Sequence, residues 1–157
     1  MFIREFRIGD AAALRAVFFS SVRELANQDY TAAQLEAWAP EQYDPCEWAE
    51  RMAGLRPFVA EIDRRAAGYA DLQATGYIDH FYVAAPFAGR GVGRTLMDHI
   101  HDSAPRRQIA ELWADVSLTA ESFFAKRGFA VEGRNTVWVR GVALSNARMR
   151  KRLVCGR

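Results

Sequence analysis

The stretch APFAGRGVGRTLM places three glycines, Gly89, Gly91 and Gly93, directly before an apolar pattern of helical period. The first N–H groups of a helix are unpaired and carry a partial positive charge, so a loop without side chains lets a phosphate approach them. Arg90 and Arg94 add cations that pair well with phosphate oxygens. The spacing therefore predicts a diphosphate site in which the backbone N–H groups of this loop are the donors.

Two common phosphate motifs do not fit the loop. A P-loop requires a lysine before its Ser or Thr, and Gly93-Arg94-Thr95 has none. A dinucleotide fingerprint requires Gly-x-Gly-x-x-Gly, and here the third glycine follows too early. Glycines also serve a tight, closely packed turn between a strand and a helix, so a purely structural role stays open.

The composition is that of a globular chain with a substantial core. The 157 residues are 50% hydrophobic and carry a net charge of +2, which favours one domain over 1–157 and argues against nucleic-acid binding, despite the basic run 148–152. Cys46 and Cys155 have neither disulfide nor metal-ligand spacing, so we expect no metal and a reducing, cytoplasmic compartment. Residues 1–7 do not resemble a signal peptide, and no apolar run approaches ~18 residues, so we expect no membrane partner.

Periodicity predicts the elements and their boundary residues. The predicted strands are 2–8, 57–63, 67–74, 77–83, 109–116, 129–140 and 143–154. The predicted helices are 10–26, 31–40, 45–52, 92–103 and 119–127. The boundary residues are Asp10 and Thr119 as N-caps, Thr31 with Gln34 as a capping box, Pro45 in a first turn, Gly128 after a helix end, and Pro105 as a helix stop.

The order of these elements predicts an α/β (α+β) fold. The step from strand 77–83 through a helix to strand 109–116 is a βαβ unit, whose strands should lie parallel with a right-handed crossover. The flanking hairpins make the remaining pairs antiparallel. We therefore expect one mixed, mostly antiparallel sheet of about seven strands with helices on both faces.

Two motifs give the chain a resemblance to a known family. Residues 88–93 (AGRGVG), after a predicted strand, and residues 117–129 (SLTAESFFAKRGF) are similar to the two signatures of the GNAT superfamily of acyl-CoA N-acyltransferases. The second motif and the segment YTAAQLEAWAP resemble the YafP-like branch. The chain departs from the family at Ala88, where a Gln or Arg is usual, and at Phe124, where many members have the tyrosine that protonates the departing thiolate.

The resemblance implies that acetyl-CoA is the cosubstrate and that its acetyl group passes directly to a small-molecule or peptide amine. Ser117, Ser122, Tyr82 or a water would replace the missing tyrosine acid, or the thiolate would leave without a proton donor. Backbone N–H groups of residues 81–83 would stabilise the oxyanion. The residues expected to bind the cosubstrate are Phe81, Tyr82, Val83, Ala88, Gly89, Arg90, Gly91, Val92, Gly93, Arg94, Phe124 and Lys126.

The catalytic candidates are Asp79, Asp115 and Ser117. A protonated amine must lose its proton before it attacks, so a general base is needed. In the resembled family bases often occur at the positions that match Tyr77 and Asp79. Strand parity places Asp79 with Phe81 and turns His80, which has the better intrinsic pKa, to the opposite face unless a bulge intervenes. Asp115 is a further candidate for the base. A catalytically silent acyl-CoA-binding module is the alternative, and the protein is expected to be a monomer or a homodimer.

Overall fold

The computed structural model describes residues 1–154, so Cys155 lies outside the described residues. The strands are β1 (Phe2–Glu5), β2 (Phe58–Ile62), β3 (Arg65–Ala70), β4 (Phe81–Val83), β5 (Glu111–Ser117), β6 (Ala130–Val139) and β7 (Val142–Arg152). The α-helices are α1 (Ala11–Ser20), α2 (Ala32–Trp38), α3 (Pro45–Leu55), α4 (Val92–Arg106) and α5 (Glu121–Lys126). Within residues 1–154, no helix is long and apolar enough to cross a bilayer.

The seven strands form two antiparallel sheets that meet at a single parallel contact. One sheet has the order β1-β2-β3-β4 and the other β5-β7-β6. Tyr77, before β4, forms a parallel bridge with Trp113 of β5, and the Trp113 N–H donates to the Gly76 carbonyl at 3.0 Å. The predicted mixed fold is confirmed, but its parallel step is reduced to this bridge, beyond which β4 and β5 part.

Helices cover both faces of the first sheet. On one face, a Cβ at Gly68 of β3 would meet Val92 of α4 at 2.8 Å, so glycine permits close packing of this helix. On the other face, the ring of Tyr82 lies 4.9 Å from that of Phe18 of α1. The Trp48 side chain of α3 packs on this same side, where its indole N–H donates to the Ala11 carbonyl at 2.8 Å. The predicted arrangement of helices on both faces is therefore confirmed.

The predicted strand 77–83 is wrong in its first half, because only Phe81–Val83 is a strand. The cause is Asp71, which follows β3 and is fully buried. Its carboxylate accepts the His80 N–H at 2.7 Å, in place of a backbone carbonyl. At Gly76 (φ +87°) a Cβ would collide with the Glu111 carbonyl, so this turn is confined to glycine. The Asp71 N–H still donates to the His80 carbonyl at 3.2 Å, so a side-chain acceptor and a tight turn interrupt the expected ladder without removing all of its hydrogen bonds.

The predicted helix boundaries are partly correct. The Thr31–Gln34 capping box and Pro45 in a first turn are present. Gly128 has φ +93° directly after the end of α5, as expected of a helix-terminating glycine. The predicted helix 10–26 is α1 followed by a π-helical turn over Ser21–Leu25.

Three boundary predictions are wrong. Asp10 does not cap α1, because its carboxylate accepts the Arg7 N–H at 2.7 Å and binds Arg4. The Thr119 hydroxyl does not cap α5, since it donates to Asp29 at 2.8 Å. Pro105 does not end α4, which runs to Arg106; in the last turn its missing N–H removes a single helical hydrogen bond.

Candidate active site

The gap between β4 and β5 exposes backbone donors. The Ala84 N–H bonds to the Ala67 carbonyl of the neighbouring strand segment at 2.8 Å. Because hydrogen-bonded and non-bonded pairs alternate in an antiparallel ladder, Tyr82 also directs its N–H to β3, while Phe81 and Val83 direct theirs away from it. The N–H groups of Phe81 and Val83 therefore point into the gap.

An apolar cavity of about 220 Å³ opens at one end of this gap. The π-helical turn after α1, β4 and the start of α5 form its walls. The side chains that line it include Val22, Leu25, Phe81, Tyr82, Phe123 and Ser117, the last at the end of β5. Such an apolar cavity suits an uncharged chain.

A second, polar cavity of about 350 Å³ opens on the other side of Tyr82. It is lined by charged residues of α1, α3 and the β6–β7 turn, and also by Asp79 and His80. A small space of about 60 Å³ between β4 and β5 lies beside both cavities. Trp38 and Tyr82 line all three spaces, with ring centroids 6.3 Å apart. This aromatic pair therefore separates an apolar from a polar compartment.

The glycine loop at the start of α4 has the properties of an anion site. Gly89 (φ +76°) and Gly91 (φ +81°) adopt the left-handed region, and a Cβ on either would meet no atom within 4 Å. Gly91 is the N-cap, and no side chain satisfies the first N–H groups of α4. Donors and open space thus coincide at the N-terminus of a 15-residue helix.

The other loop residues have different roles. Gly93 permits packing, since a Cβ there would lie 3.3 Å from the Phe123 ring. The Ala88 N–H bonds to the Ala85 carbonyl at 3.2 Å and is not free for a ligand. The guanidinium of Arg90 lies 5.4 Å from the centroid of the Phe87 ring. Among the predicted backbone donors, the Ala88 N–H is therefore excluded, and those of residues 89–94 remain candidates.

Asp79 is the carboxylate at the junction of the compartments. It lines both the polar cavity and the gap between the strands. Burial raises its pKa, Arg51 opposes this, and Asp115 raises the pKa further. Among residues 1–154 it has no ion-pair partner within 4.0 Å and accepts no side-chain hydrogen bond. This carboxylate is therefore available to a water or a substrate amine.

Asp115 and Ser117 line the β5 side of the gap. Asp115 is held by Arg148 of β7 through two hydrogen bonds of 3.0 and 3.1 Å. Ser117 accepts the Ala120 N–H at 3.2 Å, which leaves its hydroxyl proton available. Of the two carboxylates at the gap, Asp79 is the one without a cation bound to it.

His80 lies beside Asp79 in sequence but in a different environment. Its Nδ1 is 2.9 Å from the Tyr69 hydroxyl, and it is 4% exposed. Burial lowers the pKa of the imidazole to about 3, so the ring is neutral at physiological pH. It lines the polar cavity together with Asp79 but does not line the gap. Because residues 77–80 are not a strand, the strand-parity argument does not apply to this pair.

Phe124 and Lys126 occupy the remaining predicted positions. Phe124 is buried, with its ring 5.5 Å from Phe81 and 5.0 Å from Phe129. It closes the bottom of the gap, where a tyrosine would have offered a hydroxyl. Lys126 is exposed at the end of α5 and lines none of the three spaces.

Sequence reasoning missed two residues that shape the site. Asp71 holds the segment before β4, and Phe123 both packs on Gly93 and lines the apolar cavity. Asp71 had a readable signal, namely one acid within the otherwise apolar run GYADL. Phe123 had none beyond its helical periodicity.

Comparisons with known proteins agree with this geometry. The family model for the acetyltransferase (GNAT) domain matches residues 26–153. The N-acetyltransferase YafP of Escherichia coli K12 is 33% identical over 148 residues, which are 94% of this chain and 93% of that protein.

Solved structures show the same similarity. A GCN5-related N-acetyltransferase from Rhodopseudomonas palustris is 37% identical with a TM-score of 0.92, covering 97% of this chain and 95% of that one. The Salmonella typhimurium protein yncA, solved with its cofactor acetyl-CoA, shares the fold at 20% identity and a TM-score of 0.71, covering 100% of this chain and 96% of that one. The chain therefore belongs to the GNAT family of N-acetyltransferases, in which acetyl-CoA is the cosubstrate.

Proposed function

We propose that this protein transfers an acetyl group directly from acetyl-CoA to an amine that enters through the polar cavity. The observation that carries the proposal is the pair of N–H groups, Phe81 and Val83, that open into a gap between an apolar and a polar compartment. A thioester reaches the gap from one side and an amine from the other. The two reactants then meet at backbone donors that are already fixed.

The cosubstrate fits the apolar side. The first-turn N–H groups of α4, with the open space above Gly89 and Gly91, would hold its diphosphate. Arg90 and Arg94 add positive charge at the loop. The apolar cavity would take the pantetheine chain and lead the thioester to β4. Acetyl-CoA supplies the activated acyl group, and these residues bind and orient it.

Asp79 is proposed as the general base. An acceptor amine is protonated at neutral pH and is a nucleophile only after losing that proton. The raised pKa of Asp79 makes its carboxylate a better proton acceptor than an exposed aspartate, and it is free of any bound cation. Asp79 takes the proton directly or through one water.

The N–H groups of Phe81 and Val83 stabilise the negative charge that develops on the carbonyl oxygen. Ser117 is proposed to donate the proton that the departing thiolate needs, because its hydroxyl lies at the junction of gap and apolar cavity and its proton is available. Tyr82 is the second residue with a hydroxyl that lines the gap, and burial raises its pKa, so it stays protonated.

No observation favours the alternative of a silent acyl-CoA-binding module. Its basis was the missing tyrosine at Phe124, but two other residues that carry hydroxyls, Ser117 and Tyr82, line the gap. We further propose that the enzyme works in the cytoplasm, since the spacing of its two cysteines suits a reducing compartment.

The test is thiol release from acetyl-CoA, measured with a panel of diverse amines. Asp79→Asn should lower kcat by about 100-fold or more at neutral pH, because it removes the base, and should leave the Kd for CoA unchanged. The control is Asp98→Asn, which changes an exposed aspartate of α4 outside the three spaces.

Two results would contradict the proposal. CoA binding without thiol release for any amine would favour a silent module. An Asp79→Asn enzyme with wild-type kcat would remove Asp79 as the base. In that case a large loss of kcat in Asp115→Asn would identify Asp115 as the general base.

A further inference from the structure

The polar cavity contains a buried cation that the transfer reaction does not use. Arg15 of α1 is 8% exposed and lines this cavity. Its guanidinium is enclosed by aromatic rings, 4.1 Å from the centroid of Tyr43 and 5.0 Å from that of Trp48. Its Nη2 donates to the Pro40 carbonyl at 2.6 Å. Within the described part of the chain, no carboxylate lies within 4.0 Å of it.

A second arginine strengthens the positive charge at this end of the cavity. Arg140, in the turn between β6 and β7, also lines the cavity and donates to the Ala37 carbonyl at 2.7 Å. The positive charge of Arg140 repels that of Arg15. This repulsion and the larger effect of burial both lower the Arg15 pKa. Each arginine is fixed by a hydrogen bond to a backbone carbonyl, and two positive charges fixed in one cavity repel each other. This repulsion costs free energy unless an anion binds to them. The pair therefore has the form of an anion site.

The acidic residues of the cavity do not fill this role. Asp44 is the N-cap of α3 and accepts the Cys46 N–H at 2.9 Å. Glu47 precedes Arg51 by four residues on α3, a spacing at which opposite charges stabilise one another. Asp79 lines the gap, which neither Arg15 nor Arg140 lines. A third arginine, Arg51 of α3, also lines the cavity and opposes the rise of the Asp79 pKa, so it belongs with the acidic groups. Arg15 and Arg140 are left without a carboxylate within 4.0 Å among residues 1–154.

We infer that the acceptor is a small amine that also carries an oxyanion, either a carboxylate or a phosphonate, with Arg15 and Arg140 binding the oxyanion while the amine lies at Asp79. This inference rests on the proposed function and specifies the acceptor class. The guanidinium fork of arginine matches such oxyanions in two-point contact. The volume of about 350 Å³ equals about twelve water-sized groups at about 30 Å³ each, which suits a compound of amino-acid size.

The experiment compares acceptors that differ only in the anion. Thiol release from acetyl-CoA is measured with the L-α-amino acids and β-alanine, with the matching amides and decarboxylated amines, and with aminomethylphosphonate. We expect the best anionic acceptor to exceed its amide and its decarboxylated amine in kcat/KM by about 10- to 100-fold, the range for charge-assisted hydrogen bonds. Comparing aminomethylphosphonate with the amino acids shows whether the site prefers a phosphonate or a carboxylate.

Arginine variants locate the effect. Arg15→Met and Arg140→Met should each raise KM for the anionic acceptor by about 10-fold or more and leave KM for acetyl-CoA unchanged. Arg140→Met guards against misfolding, because Arg140 is exposed whereas Arg15 is buried. The matched control is Arg23→Met, since Arg23 also donates to a backbone carbonyl, that of Ala39 at 2.9 Å, but does not line the cavity.

The outcomes separate this inference from the proposed function. Amides and plain amines used as well as amino acids, with unchanged kinetics in both variants, would overturn the inference and leave acetyl transfer in place. If no amine releases thiol, binding of the same compounds to the CoA-loaded protein is followed by tryptophan fluorescence, since Trp48 lies beside Arg15. Equal affinity for amino acids and their amides would then overturn the inference; tighter binding of the acids, lost in Arg140→Met, would support it.

Discussion

The buried carboxylate of Asp71 should make stability depend on pH in an unusual direction. Asp71 is fully buried, and its carboxylate accepts the His80 N–H at 2.7 Å and a hydrogen bond from Gln73. Burial, the largest effect, raises its pKa from 3.8 to about 6. At about 1.4 kcal/mol per pKa unit, this shift corresponds to roughly 3 kcal/mol of unfolding free energy.

The sign follows from proton binding. Between about pH 4 and 6 the folded protein holds a proton on Asp71 that the unfolded chain has released. The stabilisation from the neutral carboxyl is therefore complete below about pH 4 and is lost as pH rises through about 6. The asparagine amide of an Asp71→Asn variant is neutral at every pH and can keep its oxygen on the His80 N–H. The free energy of unfolding of this variant, measured relative to that of wild type, should therefore rise by about 3 kcal/mol as pH increases from about 3.5 to about 7.5.

Urea unfolding at several pH values measures this difference. The control is Asp98→Asn, which makes the same substitution at an exposed aspartate of α4. A difference between Asp71→Asn and wild type that stays constant from about pH 3.5 to 7.5 would refute the reasoning. It would mean that the carboxylate is already stabilised as an anion by its hydrogen bonds.

Two further predictions concern the cosubstrate and the leaving group. Gly91→Ala places a Cβ at φ +81°, so it should cost about 1–2 kcal/mol of stability and weaken CoA binding in a direct titration. The control is Gly141→Ala, at φ +79° in the β6–β7 turn. It should cost as much stability and leave the Kd for CoA unchanged. Ser117→Ala should lower kcat by up to about 100-fold with KM for acetyl-CoA unchanged, whereas Tyr82→Phe, if Ser117 is the acid, should lower it less in the same thiol-release assay.

Local chemistry made much of the fold predictable from the sequence. The glycine loop precedes α4 because Gly91 adopts a left-handed conformation that other residues avoid. The Thr31–Gln34 pair satisfies its own N–H groups within one turn, so its effect needs no tertiary context. Features of this kind depend on residues within four positions of each other, which a sequence displays directly.

The rest depended on contacts that close only in the folded chain. The first half of the predicted strand 77–83 does not form a regular strand, because the Asp71 carboxylate accepts the His80 N–H in place of a backbone carbonyl. Periodicity cannot report such a contact, since it describes how residues alternate and not which acceptor they find. The isolation of Arg15 is likewise invisible in the sequence, because it depends on which carboxylates other elements bring near. Nor does the sequence show that Asp115 binds a cation, because its partner Arg148 lies 33 residues away along the chain.

The separation of β4 from β5 is what makes a site possible. Once the chain leaves the single bridge at Trp113, the N–H groups of Phe81 and Val83 face the gap instead of a neighbouring strand. Donors beside an apolar cavity are poorly solvated, and an unsatisfied buried donor costs about 1–3 kcal/mol. A carbonyl oxygen that gains negative charge satisfies these donors better than a neutral one does. The parting of β4 and β5 therefore creates donors whose most favourable partner is the charge that develops during acyl transfer.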